Sequence, residues 1–426
     1  MASELDLKTP CFVFDEGQLR GNFTDFQNAL TTHWSSNSIV AYSVKTNPLA
    51  WVLEVARRAG CWAEVVSDEE YDWALKCGYT PESIVFNGPI KGKSHFLAAL
   101  AAGGVVNIDS ERELAWLDEY ASRETASVAV GLRVNIDLES FCPGETVTGA
   151  AGGRFGFCFE NGELDRALAR VQAHGDRVRL SGLHLHVTTQ SRSVGVYRVL
   201  ASHAARIVAD HELNLDYIDI GGGFFGGGSL NGGAYERYVE AIAEELSGVC
   251  DCASTMLIVE PGGAVVCTPG IYAGRVLDVK DTTVDRFVVT ELSRINIDHE
   301  MKKESYVHSV LYAGNTSQSS VLENEPPAAN DKEKGGSAFE RPNVRDCAAG
   351  FSGRAIKPRQ VLCGYTCMES DRLCVLSDEP ELQVGDLVII HNAGAYSMSF
   401  TPEFFIQHPP AVYSKDATGS YTLVRP

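Results

Sequence analysis

The sequence has no run of roughly 18 apolar residues, so it predicts no helix long enough to cross a bilayer. Basic residues are also few: 36 Lys and Arg stand against 56 Asp and Glu among 426 residues, a formal net charge of −20. A field of that sign repels phosphates, which argues against nucleic acid and against an anionic membrane surface as partners. The N-terminal stretch MASELDLKTP is acidic and polar and does not resemble a signal peptide.

Closely paired cysteine ligands are missing as well. The 12 cysteines are scattered singly, and the pairs Cys250/Cys252 and Cys363/Cys367 do not form the CxxC motif of a zinc site. His184 and His186 would point to the same face of a strand, but packing in the core or against a cofactor is a better interpretation than a metal pair. We therefore expect no metal and a reduced, cytoplasmic protein.

Short apolar runs alternate with amphipathic segments over the first two thirds of the chain. Segments such as Trp51–Gly60 and Glu111–Ser122 repeat apolar residues at spacings of three and four, which is typical of helices. Eight strands with interleaved helices predict a (β/α)8 TIM barrel over residues 30–275, whereas a doubly wound sheet of this length would usually have fewer strands. The predicted strands are Ile39–Ser43, Ala63–Val66, Ile84–Phe86, Val105–Ile108, Val128–Val134, Leu180–Val187, Tyr217–Ile220 and Met256–Val259.

The pattern changes after about residue 275, where short β-type runs are broken by Gly, Pro, Asp and Asn. We expect a second domain here, an antiparallel β-barrel or sandwich made of residues 1–29 and 276–426, with the early segment CFVFDEGQL adding one strand. The charged stretch Glu323–Pro342, rich in Pro and Gly, predicts a mobile loop.

Polar residues stand where the predicted barrel strands end, which is where such barrels gather their reactive groups. At such a strand end Lys45 would be a lone ammonium, and burying it would cost free energy unless the group is paired or forms a Schiff base. The alternative is a solvated lysine at the rim. Glu260 is either a functional carboxylate or a helix cap. The run Gly221–Gly223 can present backbone N–H groups to an anion or form a flexible turn, and it matches neither GxGxxG nor a Walker loop. The other strand-end residues are Glu64, Asn87, Asp109, Arg133 and His186.

Eight motifs follow one another along the chain: YSVKTNP (42–48), FNGPIK (86–91), GLRVNI (131–136), GLHLHV (182–187), DIGGGF (219–224), VEPGG (259–263), CMESD (367–371) and NAGAY (392–396). In this order they resemble the motifs of the fold type III pyridoxal-phosphate decarboxylases, which include diaminopimelate, ornithine, arginine and carboxynorspermidine decarboxylases. The resemblance runs from Thr9 to the C-terminus. It implies the alanine racemase-like pairing of barrel and β domain, pyridoxal 5'-phosphate as cofactor, and decarboxylation of an amino acid.

The resemblance implies a role for each motif residue in holding the cofactor. Lys45 would form the Schiff base, His186 would stack on the pyridine ring, and Glu260 would pair with the ring nitrogen and keep it protonated so that the ring accepts electrons. Glu64 would lie near the ring. Thr189, Gly221, Gly222 and Gly223 are expected to grip the phosphate, with Tyr396 adding a hydroxyl, and Gly262 is a further expected cofactor-binding residue.

The resemblance also implies a homodimer with shared active sites. Cys367 would come from the second subunit and reprotonate the α-carbon, so the expected catalytic groups are this cysteine together with Lys45, His186 and Glu260. The residues expected to meet the substrate are Arg133, Met368, Glu369 and Asp371.

Two departures from the family pattern bear on the substrate. Gly263 replaces the arginine of the common EPGR motif, and Met368 replaces an acid that meets the distal ammonium of ornithine or diaminopimelate. A thioether cannot offset a desolvated ammonium. The Arg-Pro-x-x-Tyr stretch of diaminopimelate enzymes is also missing; HEMKKESY (299–306) and the acidic loop occupy its region. We therefore predict neither plain ornithine nor lysine as substrate.

The ending NAGAYSMSFTPEFFIQHP (392–409) resembles branches that act on modified amino acids, such as carrier-tethered glutamate and citrate-linked siderophore precursors. We predict a modified or conjugated amino acid as substrate, with diaminopimelate as the alternative. Two rival functions remain. An alanine racemase-like protein would present an arginine to the ring nitrogen, which Glu260 argues against, and an inactive regulator similar to the antizyme inhibitors would keep the fold for protein binding.

Overall fold

The computed structural model describes residues 7–298, 301–303, 305–313, 354–398 and 409–425. The chain folds as two compact units: one spans Gln18–Val266, and the other takes in the N-terminal residues up to Gly17 and the chain from Cys267 onward. The predicted loop 323–342 lies outside the described residues, as do parts of the stretches 299–306 and 392–409. No helix in the described ranges has the length and apolar character that a bilayer crossing requires.

The first unit is the predicted (β/α)8 barrel. Its eight strands are parallel, and the sheet closes because β10 pairs with β2 and β5 pairs with β6; a two-residue strand, β7 (Phe157–Cys158), adds to β6. The barrel strands are β2 (Ser38–Ser43), β3 (Trp62–Val65), β4 (Ile84–Phe86), β5 (Val105–Ile108), β6 (Val128–Asn135), β8 (Val178–Leu185), β9 (Tyr217–Asp219) and β10 (Met256–Val259).

Helices follow the barrel strands, and local signals set where they begin. The Ser110 side chain accepts a hydrogen bond from Glu113 N and so caps the fifth helix, which buries Leu114, Leu117 and Ala121 on one face. The helices of this unit are α1 (Glu16–His33), α2 (Ala50–Arg58), α3 (Asp68–Lys76), α4 (Lys93–Ala101), α5 (Glu111–Arg123), α6 (Leu138–Phe141), α7 (Glu163–Gln172), α8 (Val194–Asp210), α9 (Ala234–Leu246) and α10 (Gly263–Val266).

Tyr217 fills part of the barrel core. Its ring packs in a buried cluster with Ala41, Val85 and Ile258, and it lies so close to β8 that a Cβ on Gly182 would come within 2.2 Å of it. Only glycine therefore fits at that position. The phenol hydroxyl donates to Asn107 Oδ1 at 2.7 Å, which ties this core to the polar groups above it.

The barrel unit begins and ends earlier than the predicted range 30–275. Helix α1 packs with it because Phe26 stacks on Tyr235 with ring centroids 4.3 Å apart and meets the edge of Phe224. At the other end, β11 (Gly270–Asp281) pairs with β1 (Cys11–Asp15) in the second unit, so this stretch belongs to the sheet there.

The second unit is a mostly antiparallel sheet, as the sequence predicts, and β1 is the strand expected from CFVFDEGQL. Two of its pairings are parallel, β1 with β19 and β12 with β15. The remaining strands of this sheet are β12 (Arg286–Thr290), β13 (His308–Leu311), β15 (Gln360–Cys363), β16 (Arg372–Leu376), β18 (Leu387–Ile390), β19 (Ala411–Lys415) and β20 (Tyr421–Arg425). Two short strands, β14 (Ile356–Lys357) and β17 (Glu379–Pro380), form a separate two-stranded sheet.

Candidate active site

Lys45 stands in the turn that follows β2, at the C-terminal mouth of the barrel. Its Nζ donates to Glu64 Oε2 at 2.7 Å and to Ser43 Oγ at 2.8 Å. The lysine side chain is 42% exposed, whereas that of Glu64 is 2% exposed. The ammonium is therefore held in place by a buried acid and remains open to the mouth, unlike a freely solvated rim lysine.

Glu260 follows β10 and is buried at the same mouth. Asn87, which follows β4, donates through its single amide nitrogen toward both Glu260 Oε1 and Glu64 Oε1, the latter at 3.4 Å. Asn107 on β5 in turn donates to Asn87 Oδ1 at 2.9 Å and fixes the direction of that amide. Hydrogen bonds therefore link Lys45 to Glu260 through two intervening side chains, so the amine and the acid share one end of the barrel.

Glu260 lies in a buried group with His184 and Asp219, whose polar atoms all lie within 4.8 Å of one another. His184 Nε2 is 3.5 Å from Glu260 Oε2. Two carboxyl groups this close and this buried share a proton, because both cannot be charged without strong repulsion. These three are potential metal ligands by type, but a shared proton between the acids accounts for their proximity.

Of these two acids, Asp219 is the one whose pKa is raised, so it holds a proton more readily than Glu260 does. Burial, and next the charge of Glu260, raise the pKa of Asp219 well above its usual range. Burial also opposes ionisation of Glu260, but the His184 ring, the hydrogen bond from Asp219 and the charge of Lys45 outweigh it and lower the pKa of Glu260. Glu260 is therefore the anion of the site and Asp219 its neutral partner.

Replacing Asp219 with asparagine is expected to stabilise the cofactor-free protein increasingly as the pH rises. The folded-state pKa of Asp219 is raised above the ordinary 3.8, so its contribution to stability is complete below that value and is lost as the pH climbs toward the folded pKa. Asparagine keeps a neutral donor that does not titrate. We expect the thermal midpoint of D219N to exceed that of the wild type by about 3 °C or more at pH 8, and by less at pH 4.

Asp216→Asn serves as the matched control, because the Asp216 side chain is 55% exposed and pairs with Arg179 on the surface. Its midpoint should follow the wild type with pH. If D219N instead loses stability relative to the wild type as the pH rises, Asp219 is the charged member of the pair and the assignment above is wrong.

His186 forms a flat wall between the mouth and the glycine turn. Its ring is parallel to that of His184, with centroids 6.5 Å apart, and its Nδ1 accepts a hydrogen bond from Gly222 N at 3.3 Å. Burial, and next the Arg133 charge, lower the pKa of His186 to about 3. The imidazole is therefore neutral, with its proton on Nε2.

The turn Gly221–Gly223 runs between His186 and the end of β10. Asp219 Oδ1 accepts a hydrogen bond from Gly221 N at 2.8 Å. A Cβ on Gly222 would come within 2.3 Å of the backbone oxygen of Glu260, so a side chain there would displace the backbone that carries this carboxylate. The glycines thus let the turn approach the acid closely.

Gly262 and Thr189 lie at two further positions expected to hold the cofactor. A Cβ on Gly262 would come within 2.1 Å of Thr46 Oγ1, and this buried hydroxyl has no hydrogen-bond partner among the described residues. Thr189 forms an isolated bridge with Thr146 and is partly exposed.

Arg133 supports the wall formed by His186. Its Nη2 donates to His186 O at 3.4 Å, and its Nη1 lies 3.3 Å from Asp109 Oδ1. The arginine predicted to meet the substrate is 7% exposed and therefore anchored in the barrel.

The remaining predicted residues belong to the sheet unit. Cys367 is exposed, Met368 is partly buried, and Tyr396 is 45% exposed with φ +56°; their roles stay predictions. Glu369 is exposed, and its carboxylate lies 3.3 Å from Arg372 Nη2. The Glu369 side chain therefore lies in solvent and pairs with the Arg372 guanidinium.

Asp371 is buried and held by its own chain. Its carboxylate accepts hydrogen bonds from Ser293 Oγ at 2.8 Å, Arg294 N at 2.9 Å and Thr366 Oγ1 at 2.6 Å. These donors contact both oxygens and tie two distant segments together. Asp371 therefore holds this turn in place, and its substrate role stays a prediction.

Four residues of the site had no predicted role: Ser43, Thr46, Asn107 and Asp219. Asp219 belongs to the DIGGGF motif and ends its strand, so its position was visible. Its role depends on the distance to Glu260, 41 residues away in the chain, which a linear pattern does not contain. Asn107 lies one residue before a strand end, on the inward face.

A family model described as "Pyridoxal-dependent decarboxylase, pyridoxal binding domain" matches residues 16–267. A probable chloroplastic diaminopimelate decarboxylase of Oryza sativa subsp. japonica is 25% identical over 98% of this chain and 77% of its own length. The L-glutamyl-[BtrI acyl-carrier protein] decarboxylase of Niallia circulans is 25% identical over 98% of this chain and 91% of its own. Among solved structures, the diaminopimelate decarboxylase of M. jannaschii superposes with a TM-score of 0.77 at 21% identity, covering 100% of this chain and 91% of that one.

Proposed function

The chain belongs to the pyridoxal-dependent decarboxylases, and on that premise we propose that it decarboxylates a modified or conjugated amino acid. Its cofactor is pyridoxal 5'-phosphate and it is a carbon–carbon lyase. The observation that carries the catalytic part of the proposal is the hydrogen-bonded path from Lys45 through Glu64 and Asn87 to Glu260 at one barrel mouth.

The residues at this mouth fit the cofactor. Lys45 offers an accessible amine, and Glu260 offers a buried anion for the ring nitrogen. The glycine turn 221–223 has no side chains that would fill the space beside His186, and Thr46 keeps a buried hydroxyl without a partner in the described chain. We propose that these groups hold the cofactor, with Thr189, Gly262 and Tyr396 adding contacts to its phosphate.

The cofactor, when bound, supplies a cationic ring that accepts the electron pair left as CO2 departs. Glu260 would pair with the ring nitrogen and keep it protonated, and Asp219 would leave the charge on Glu260 because its own pKa is raised. Asn87 donates a hydrogen bond to the Glu260 carboxylate and so fixes its orientation. The neutral His186 ring offers a flat face without adding a charge that would compete with the ring cation. Glu64 and Ser43 hold the Lys45 nitrogen at the mouth.

The proposed class of substrate follows from a negative charge that is missing at Met368. Met368 stands where relatives that act on basic amino acids carry an acid, and a thioether does not compensate an ammonium. Glu369 is paired with Arg372 and exposed, so it does not supply that acid within its own chain. The relative named as acting on a carrier-bound glutamyl group aligns over 98% of this chain and 91% of its own length. We further propose a homodimer in which Cys367 of one chain completes the site of the other.

A substrate panel tests this proposal. Purified holoenzyme is assayed for CO2 release from a citrate-conjugated diamino acid, a carrier-bound glutamyl thioester, meso-diaminopimelate and ornithine. We expect kcat/KM for one of the two conjugates to exceed that for diaminopimelate by at least about 100-fold, the discrimination that a missing charge partner provides. Faster turnover of diaminopimelate would establish the alternative substrate, and release from none of the four would favour an inactive regulator.

A further inference from the structure

A cavity of about 300 Å³ opens in the barrel unit beside His186. Its walls are the segment that follows β6, from Ile136 to Phe155, and the segment His186–Thr188 that follows β8. It therefore shares His186 with the candidate active site while extending away from the glycine turn. The volume is at the lower end of the range for small-molecule sites and suits a short chain with a polar end.

Two guanidinium groups meet at one aromatic ring in the wall of this cavity. The Arg133 Cζ lies 4.7 Å from the centroid of Phe155, and the Arg154 Cζ lies 4.1 Å from it. Each contact is favourable by itself, but two like charges on one ring repel each other. Asp109 balances Arg133 at 3.3 Å, and within the described ranges Arg154 has no ion-pair partner. The pair therefore carries an excess positive charge.

Arg133 also carries a buried donor that no described residue accepts from. The residue is 7% exposed and lines the cavity, and its Nε has no hydrogen-bond partner in the part of the chain that the structure describes. A buried donor left unpaired is costly, so its presence in the wall of a cavity points to an acceptor that binds there.

The acidic residues of the same wall are engaged within their own turn. Asp137 accepts hydrogen bonds from Ser140, and Glu139 accepts them from Gly144 N at 2.6 Å and from Thr146 Oγ1 at 2.5 Å. These donors are neutral, so both carboxylates keep their charge, but the bonds direct their oxygens at the loop's own donors. The guanidinium groups are the charged groups of the wall that still have a hydrogen-bond donor to offer a ligand.

We propose that this cavity is a subsite for a carboxylate at the far end of the substrate. The inference rests on the proposed function, since His186 is the wall that the cavity shares with the reacting centre, and it narrows the substrate to a conjugate that keeps a free carboxylate. Arginine binds carboxylates through two parallel hydrogen bonds, a geometry that an amide or an ammonium cannot reproduce. A free acid at this end also agrees with the lack of an acidic partner at Met368.

The test compares adipate with its neutral analogue adipamide as probes of the holoenzyme, by titration calorimetry. We expect adipate to bind at least 10-fold more tightly than adipamide, and R154Q to lose that preference. R154K should recover part of it, because lysine restores the charge without the paired hydrogen bonds. Arg206→Gln is the matched control: its guanidinium also lies over a phenylalanine, Phe159 at 5.1 Å, in the same unit, and it should leave the preference unchanged.

Equal binding of adipate to the wild type and to R154Q, or no preference between the two probes, would overturn the subsite. The two proposals fail separately. If adipate is preferred in an Arg154-dependent way but no substrate is decarboxylated, the proposed function is wrong and the anion site stands. If decarboxylation proceeds with the KM of R154Q equal to that of the wild type, the function stands and the subsite is wrong.

Discussion

Replacement of Lys45 by alanine is expected to remove the visible absorbance of the cofactor-loaded protein and to lower turnover by at least about 10³-fold, since covalent attachment and proton transfer at one amine are lost together. The fold should survive, because Ser43 Oγ still donates to the buried Glu64 carboxylate at 2.6 Å. Absorbance spectra with and without cofactor, and single-turnover rates, give the measurement.

Lys76→Ala is the matched control for this variant. Lys76 ends helix α3, is exposed, and lies in the same unit. Its spectrum and turnover should equal those of the wild type. A Lys45→Ala protein that keeps the visible band would show that another group holds the cofactor.

Glu260→Gln is expected to retain the cofactor and to lose about 10²–10³-fold in turnover, a loss in the range of removing one electrostatic contact at a reacting group. The amide has the shape of the carboxylate and can keep a contact with Asn87, so the site should remain assembled. It carries no charge, however, and cannot hold a proton on the ring nitrogen. The measurement is kcat at saturating substrate together with the cofactor dissociation constant.

Glu240→Gln, an exposed change on helix α9, controls for the loss of one acid from the unit. If Glu260→Gln turns over at the wild-type rate, the carboxylate plays no part in the electron sink. If it loses the cofactor instead, Glu260 acts in binding and not in the chemistry, which would also contradict the assigned role.

The barrel was predictable because its information is local. Short apolar runs alternate with segments in which apolar residues recur at spacings of three and four. The polar residue after each run marks the end of a strand. Lys45 and Glu260 could therefore be assigned to one rim without knowing their distance. The observed strand Val178–Leu185 begins and ends two residues before the predicted strand Leu180–Val187. His186 therefore lies just beyond the end of the strand, where it can face the turn.

Other parts depend on contacts between distant segments and could not be read from the pattern. The parallel pairing of β1 with β19 joins residues about 400 positions apart. Asp371 was expected to meet substrate because it belongs to a family motif, but its donors come from Ser293 and Arg294, which the linear sequence does not bring near. Helix α1 is amphipathic and could have packed on either unit by its sequence alone; the aromatic contacts of Phe26 decide it.

Two features of the charge distribution indicate the same kind of substrate. In the two proposals above, Met368 leaves a distal ammonium without a partner, and Arg133 and Arg154 offer partners to a distal carboxylate. Both proposals place the choice of substrate in the charge of the distal group and leave the reacting centre as it is in the family.

The proposed function requires that Lys45 is the amine that carries the cofactor opposite Glu260. The direct measurement is borohydride reduction of the holoenzyme, followed by digestion and mass spectrometry to locate the phosphopyridoxyl group. We expect the label on the peptide that contains Lys45, both in the wild type and in Glu260→Gln. A label on any other lysine, or no label in a protein that has bound the cofactor, would contradict the account.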